Sequence, residues 1–505
     1  MENKRIAEEL YNKLLPIRQM YEENWYECSK LTLPYVYNGL ESNETSGEKL
    51  YVPYNSIGAS SVNNLASKLM INLFPPTKMF FRFLPDEKQF NQLDEKGRRE
   101  LDKALTKLEN DLLQKIEKDA IRIPIFEALK NLIITGNSLV YKTKNSLKVF
   151  NVSDYVVERD FSNNLLNLVI KEKIGINLLS DNLKKELNEE DFDKEKNVTL
   201  YTYVKRLDEN NYEVSQHIGN LEFNVEKYTA EKLPYMVLRF NTINNSYYGI
   251  GLVEQYLGDI KTMEILSRSI SEGSELMSKL IIGRKPGIGK TNLKDLQDAV
   301  RKGNGNIIYG DVENDLSILQ FQKNGDFNVP FQLLQQLEIK IAKAFLNFSD
   351  SVRNAERVTA SEIRANIVEI ESTLGGVFGV LTQELQLPLL KLMLNELNPK
   401  ALKSIDLSIT TGLNSISKEK DLQNLQTFTQ SIAQFGGEVI NQYLDIPAYF
   451  DEVANALGID GSKILKSEEQ IQQENEAQQQ MMLQQQQQQQ SQQLNNEAQK
   501  VRNGK

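Results

Sequence analysis

Two long stripes of apolar residues at helical spacing dominate the second half of the chain. In 251–283, Leu252, Tyr256, Met263, Leu266, Ile270, Met277 and Leu280 fall on one face and predict a single amphipathic helix. The opposite face carries Glu254, Lys261, Glu264, Arg268, Glu272, Glu275 and Lys279, with Glu264/Arg268 and Glu275/Lys279 in the favourable i,i+4 order. Run unbroken, such a rod is about 50 Å long, and it cannot bury its stripe on itself. The second stripe, 328–348, uses Leu334, Leu337, Ile341, Phe345 and Phe348, with Gln336, Lys340, Lys343 and Asn347 on its polar side. Between the stripes, 284–326 reads as a small strand-bearing insert. A turn at 349–358 holds Arg353 and Arg357, and Thr359-Ala-Ser-Glu362 is a capping box that opens a third helix. Gly375, Gly376, Gly379 and Pro388 interrupt that helix and predict a kink.

The first half is mixed. Helical periodicity appears at 4–26 (Leu10, Leu14, Ile17, Tyr21), at 57–74 before Pro75-Pro76, at 96–118, and at 125–134 before Gly136-Asn137. A short strand is expected at 80–84. From 138 the pattern changes to β-branched and aromatic residues in partial alternation, at 138–142, 147–151, 155–159, 166–173, 198–206, 213–218 and 236–241. The charge run 186–196 reads as a solvated loop or helix end. Near the end come a strand at 405–410, helices at 418–435 and 449–457, and a Gln-rich tail from 467, expected to be disordered or a frayed helix. The fold class is α+β.

Composition narrows the chemistry. The 505 residues suffice for two to four domains, 40% are hydrophobic and 25% charged. No apolar run reaches the roughly 18 residues needed to span a bilayer, and the charged N-terminus shows no secretory signal, so folding in a cytoplasm is expected. Cys28 and His217 are the sole cysteine and histidine, which removes intrachain disulfides and Cys/His zinc sites. Cys28 reads as a buried small hydrophobe. A Ser-His-Asp or Cys-His mechanism would have to use His217, which reads as an exposed residue of the strand-like stretch 212–225. No metal site, cofactor or membrane association is expected. The net charge of −10 argues against a tight DNA clamp. A ring of many copies would carry roughly −100, a field suited to a conduit through which DNA slides without sticking.

Residues 283–291 (GRKPGIGKT) imitate a phosphate-binding loop. The spacing would need glycine at 284, where Arg284 stands, and the stretch follows a predicted helix where the motif requires a strand. A nucleotide hydrolase using Lys290 and Thr291 is therefore the weaker alternative, alongside a non-ring tail or scaffold component.

Several longer stretches carry a resemblance: 62–75 (VNNLASKLMINLFP), 126–141 (FEALKNLIITGNSLVY), 153–160 (SDYVVERD), 248–264 (YGIGLVEQYLGDIKTME), 356–364 (ERVTASEIR) and 371–391 (ESTLGGVFGVLTQELQLPLLK). Together they resemble the head-to-tail connectors, or portal proteins, of short-tailed podovirus-type phages. The resemblance implies a ring, typically of twelve subunits, at one capsid vertex of the virion, assembled in the host cytoplasm. It implies a portal fold with an α/β wing (1–250), a two-helix stem (251–283 and 327–348) and a small α/β clip (284–326). A channel loop (349–358), a long kinked helix with a wing strand (359–411), a mostly helical crown (412–466) and the tail (467–505) complete it. The implied partners are the major capsid protein, terminase, a tail adaptor, internal core or ejection proteins, and double-stranded DNA passing without sequence specificity. Arg353 and Arg357 match the channel-loop position, where a salt bridge to Glu356 or Glu362 is the competing role. Lys340 and Lys343 would line the channel or face outer solvent. Arg284, Lys285, Lys290, Lys294, Arg301 and Lys302 form the expected docking surface of the clip.

Overall fold

The computed structural model describes residues 5–39, 50–75, 79–85, 95–187, 197–278, 281–284, 316–319, 327–347, 376–399 and 405–409. Helical positions at 294, 297, 298, 301, 425–432, 449, 450 and 453 are also described. The chain divides into two compact units, one of 1–76 and 114–403, the other of 77–113 and 404–505.

In the first unit, helix α1 (Ile6–Lys30) and helix α2 (Ile57–Leu73) precede a strand of the second unit, β1 (Phe81–Pro85). Helix α3 (Glu95–Lys118) contains the boundary between units, and α4 (Arg122–Thr135) follows. A three-stranded antiparallel sheet has the order β3-β2-β9, from β2 (Asn137–Lys142), β3 (Leu147–Phe150) and β9 (Tyr235–Arg239). A five-stranded antiparallel meander runs through β4 (Tyr155–Arg159), β5 (Leu165–Gly175), β6 (Asn197–Arg206), β7 (Asn211–Ile218) and β8 (Leu221–Thr229). The short helix α5 (Asp181–Glu186) lies between β5 and β6 in sequence. The expected strands are present within a residue or two. The stretch 212–225 is corrected: a turn at Gly219, in the left-handed region (φ 55), divides it into β7 and β8.

The core sits where α1 and α4 meet these sheets. Helix α4 is apolar nearly all round and is buried accordingly; it packs on α1, α2, β2 and β3. Trp25 is the centre of an aromatic cluster. Tyr21 stacks on it at 5.7 Å, and Tyr37 and Tyr248 meet it edge-on at 6.1 and 5.5 Å. Arg18 occupies a position of the buried α1 stripe that sequence polarity assigns to water. Its guanidinium stays satisfied by Tyr11 Oη (3.0 Å), the Ser153 carbonyl (2.6 Å) and Glu22 (2.8 Å).

A glycine-lined junction joins this core to the long helices. Gly136 ends α4 with φ +78, and a Cβ there would lie 2.4 Å from the Ile250 carbonyl carbon. Asn137 clasps Gly249 from both sides, donating to its carbonyl (3.0 Å) and accepting from its N–H (2.8 Å). The next stretch is not the single rod expected over 251–283. A short helix α6 (Leu252–Gln255) breaks at Tyr256, α7 (Leu257–Ser278) follows, and Ile281–Arg284 is strand β10, antiparallel to β11 (Leu316–Leu319). The paired isoleucines favour an extended strand once a partner is available, so α7 is about 33 Å long. Helix α8 (Asn328–Ala344) is the second stripe.

Of the kinked helix, 359–375 lies outside the described residues. The remainder is interrupted as expected. Gly376 (φ +54) precedes helix α9 (Val377–Leu381), a wider π-type turn spans Thr382–Gln386, and helix α10 (Leu387–Leu397) has Pro388 in its first turn. The wide turn delivers Glu384 to Arg239 (2.6 Å) and Gln386 to the Leu73 carbonyl (2.7 Å). The stretch Val377–Leu397 is long and apolar enough to cross a membrane, unlike the sequence expectation, yet 56% of it is buried inside the protein, as in a core helix. In the second unit β1 pairs antiparallel with β12 (Ile405–Ile409), and the Glu109 carboxylate accepts from the Phe83 N–H at 2.7 Å. The Gln-rich tail and most of 412–466 lie outside the described residues.

Candidate functional site

Helices α7 and α8 pack together, and α8 also packs on α2. The inward faces follow the sequence stripes: Ile260, Met263, Ile341 and Phe345 are buried, and Phe345 meets Tyr256 edge-on at 5.9 Å. Near the far end, the Phe327 ring fills a notch at Gly273. A Cβ on Gly273 would lie 2.4 Å from that ring, so a larger residue would have to displace it. The outward faces stay apolar in places. Val329 (71%), Ile339 (70%), Ile265 (64%), Phe331 and Leu333 are exposed. By helical spacing, Val329 and Leu333 lie to one side of the inward stripe of α8 and Phe331 to the other.

A polar bracket from 51–68 holds both helices. Glu264 is 7% exposed, not on the solvent face that the sequence assigned it. Its carboxylate accepts from Tyr51 Oη (2.7 Å) and from the N–H groups of Tyr54 (2.9 Å) and Asn55 (3.1 Å). Arg268, its expected partner, instead pairs with Glu272 at 2.8 Å. Backbone donors satisfy a buried carboxylate more completely than one surface cation does. The bond to Glu264, then burial, pushes the Tyr51 phenol up to about 12. Asn55 Nδ2 bridges the pair, donating to Ser267 Oγ (3.0 Å) and Glu338 Oε1 (3.2 Å). These contacts join segments more than 200 residues apart, and no local spacing announces them.

Helix α8 ends in a Schellman turn. The Asn347 N–H returns to the Ala342 carbonyl (2.6 Å) and the Leu346 N–H to that of Lys343 (3.1 Å). The left-handed position, usually glycine, is Leu346 at φ +57, which costs roughly 1–2 kcal/mol. Its side chain is buried, and its carbonyl accepts from Asn64 Nδ2 (3.0 Å) and Lys68 Nζ. Asn64, Lys68 and Asn72 recur every four residues along α2, a signal the sequence reading left unused.

The residues singled out from sequence fare unequally. Lys340 is exposed but ion-paired to Asp259 of α7 at 2.6 Å, a link between the two helices. Lys343 is exposed in the last turn of α8, where a cation suits the helix dipole. Lys294 and Arg301 occupy exposed helical positions and Arg284 ends β10. Lys285, Lys290, Lys302, Arg353 and Arg357 lie outside the described residues, as does Lys279. Strand β10 precedes the glycine-rich 283–291 stretch, so the contextual objection to a phosphate loop falls. The spacing objection at Arg284 stands, and the strand pairs antiparallel rather than within a parallel sheet.

His217 is buried, not exposed. Its Nε2 meets Ser215 Oγ at 2.7 Å and lies 3.7 Å from Glu222. Burial holds the imidazole below its ordinary range while Glu222 pulls the other way. Serine and carboxylate address the same nitrogen, so the arrangement is not that of a hydrolytic triad, whose carboxylate orients Nδ1. Cys28 is buried as expected, and burial pushes its thiol up.

Comparison with known proteins places this architecture. A family profile described as "Bacteriophage head to tail connecting protein" matches residues 4–465. The portal protein of Escherichia phage T7 is 33% identical over 93% of this chain and 89% of its own. That of Enterobacteria phage T3 is 32% identical over 92% and 89%. Among solved structures, a chain of the native gene transfer agent virion covers 80% of this chain and 90% of its own, at TM-score 0.36 and 11% identity, too distant to bear on the fold. The chain belongs to the bacteriophage head to tail connecting proteins, the portal proteins of podovirus type.

Proposed function

We propose that copies of this chain close into a ring at the head–tail junction of the virion, through which double-stranded DNA enters during packaging and leaves during ejection. The observation that carries this reading is the α7–α8 hairpin. Its inward stripe is filled within the protomer, while Val329 and Leu333 on one side and Phe331 on the other are left for neighbours. Different faces meeting head to tail are the geometry that closes into rings. In this reading 1–250 is the wing, α7 and α8 the stem, 284–326 with β10 and β11 the clip, 349–358 the channel loop, 359–411 the kinked helix and wing strand, and 412–466 the crown.

The clip, through Arg284, Lys285, Lys290, Lys294, Arg301 and Lys302, meets terminase and later the tail adaptor. The wing meets the major capsid protein, and the crown the internal core proteins. Arg353 and Arg357 touch the passing DNA. Lys343 joins them, and Lys340 does so only as far as Asp259 releases it. Scattered cations inside an acidic ring give brief phosphate contacts without a deep well.

Images of the purified full-length chain test the ring: closed annuli with a central hole are expected, and monomers or filaments would overturn it. Arg353→Glu combined with Arg357→Glu is expected to assemble normally and to impair DNA packaging or retention. Wild-type packaging by that variant removes both from the role.

A further inference from the structure

Phe161 is the most exposed large apolar side chain among the described residues, at 94%, yet the backbone that carries it is firmly held. It stands in the turn 160–164 between β4 and β5. The Asp160 N–H donates to the Asn164 carbonyl (2.9 Å), and the Asn163 N–H to the Asp160 carbonyl (2.9 Å). The Asp160 carboxylate accepts from the Asn164 N–H (2.8 Å) and from its Nδ2 (3.2 Å). Asn163 is left-handed (φ 67); its carbonyl accepts from Arg159 (3.0 Å) and its Oδ1 from Arg239 (3.1 Å). Arg206 ties this turn to the next one along the sheet, 207–210 between β6 and β7. It pairs with Asp160 at 2.7 Å and donates from Nε to the Asp208 carbonyl (3.1 Å). Three arginines thus fix a turn whose aromatic side chain lies in water. An aromatic on a rigid support loses little freedom on docking, as an anchor residue requires. The second turn adds Asp208 and Glu209, both exposed, so the tip combines an aromatic ring with carboxylates.

A surface of the opposite charge lies around the C-terminal end of α1. Tyr35 (55%) and Tyr26 (39%) are exposed there. Lys130 of α4 lies over the Tyr35 ring at 5.2 Å and donates to its hydroxyl at 3.1 Å. Lys30 lies over the Tyr26 ring at 5.6 Å and pairs with Glu27 at 3.3 Å. The lysines steady the rings and make this surface both aromatic and cationic.

We propose that the Phe161 tip of one copy docks on the Tyr35–Lys130 surface of the next, a contact between copies separate from the α7–α8 hairpin. The inference rests on the ring reading. The two surfaces differ, as a head-to-tail contact requires. They also match: ring meets ring, and Asp208 and Glu209 meet Lys30 and Lys130. Phe161 and Tyr35 are both exposed in the protomer, so the chain does not cover them itself.

The experiment uses the purified full-length chain, whose Cys28 is buried and so silent toward maleimides. Ser162→Cys and Glu127→Cys place thiols beside the two surfaces and leave Phe161 and Tyr35 intact. Each variant alone, their mixture and the double variant are treated with a bismaleimide and sized under denaturing conditions. The mixture is expected to give cross-linked pairs and nothing larger, the double variant a ladder of copies, and each single variant monomers. Phe161→Ser is expected to leave the circular dichroism spectrum unchanged and to raise the concentration of half-assembly about tenfold, read by light scattering. Wild-type rings whose mixed variants give no cross-linked pairs, or a Phe161→Ser chain that assembles like wild type, would overturn the proposal. Failure of the wild-type chain to form rings overturns the reading beneath it, and is seen before any variant is made.

Discussion

The core around Trp25 and the α7–α8 hairpin solve the same problem in opposite ways. Around Trp25, the stripe of α1, the faces of the two sheets and helix α4 close on one another, and even Arg18 finds every partner within the protomer. The hairpin fills one stripe and leaves isoleucine, valine and phenylalanine in water. The core around Trp25 therefore closes within the protomer, and the hairpin keeps apolar side chains exposed. The bracket of Tyr51, Tyr54, Asn55, Asn64 and Lys68 fastens the second kind of structure to the first.

Substitutions can sharpen this contrast. Trp25→Ala has the largest expected effect, about 3–5 kcal/mol of protomer stability, read by denaturant unfolding; a loss under 1 kcal/mol would show that the cluster around Trp25 is not the folding centre. Glu264→Ala strands three donors and is expected to cost about 2–3 kcal/mol. Glu264→Gln, which keeps an acceptor, should recover part of this in the same titration. Gly273→Ala drives a methyl group into the Phe327 ring and is expected to cost about 1–2 kcal/mol, with the loss confined to hydrogen-exchange protection of α7 and α8. Phe331→Glu is the smallest for the protomer, within about 0.5 kcal/mol. Light scattering should nonetheless find its assembly weakened, and a ring unaffected by it would remove this face from the interface.

Legibility in the sequence follows the range of the interaction. Strands β4 to β7 of the meander, the Gly136 cap and the interrupted helix around Gly376 and Pro388 are governed by neighbours in sequence, and periodicity and turn chemistry find them, whereas β8 was merged with β7 across the Gly219 turn. Strand β10 was misread because its helical stripe continues through Ile281 and Ile282, and only the distant Leu316–Leu319 makes the extended form worthwhile. Glu264 was misread because a favourable i,i+4 arginine was available, while the better donors are over 200 residues upstream. Arg18 was hidden by its charge: its position in the buried stripe of α1 was visible, its carbonyl partners were not. Of the expected site, Lys340 and Lys343 were correctly placed on the polar side of α8, but the Lys340–Asp259 pair needed the fold to bring α7 alongside.

The Phe327 ring seated at Gly273 acts like a pawl in a toothed rack. Four residues back along α7, about 6 Å away, stands Ser269, which carries the Cβ that Gly273 lacks. Axial slip between the two helices would press that Cβ against the ring, and splaying apart would break the Asn55 bridge and the Lys340–Asp259 ion pair. The two helices are thereby registered by shape along their length and by polar links across it.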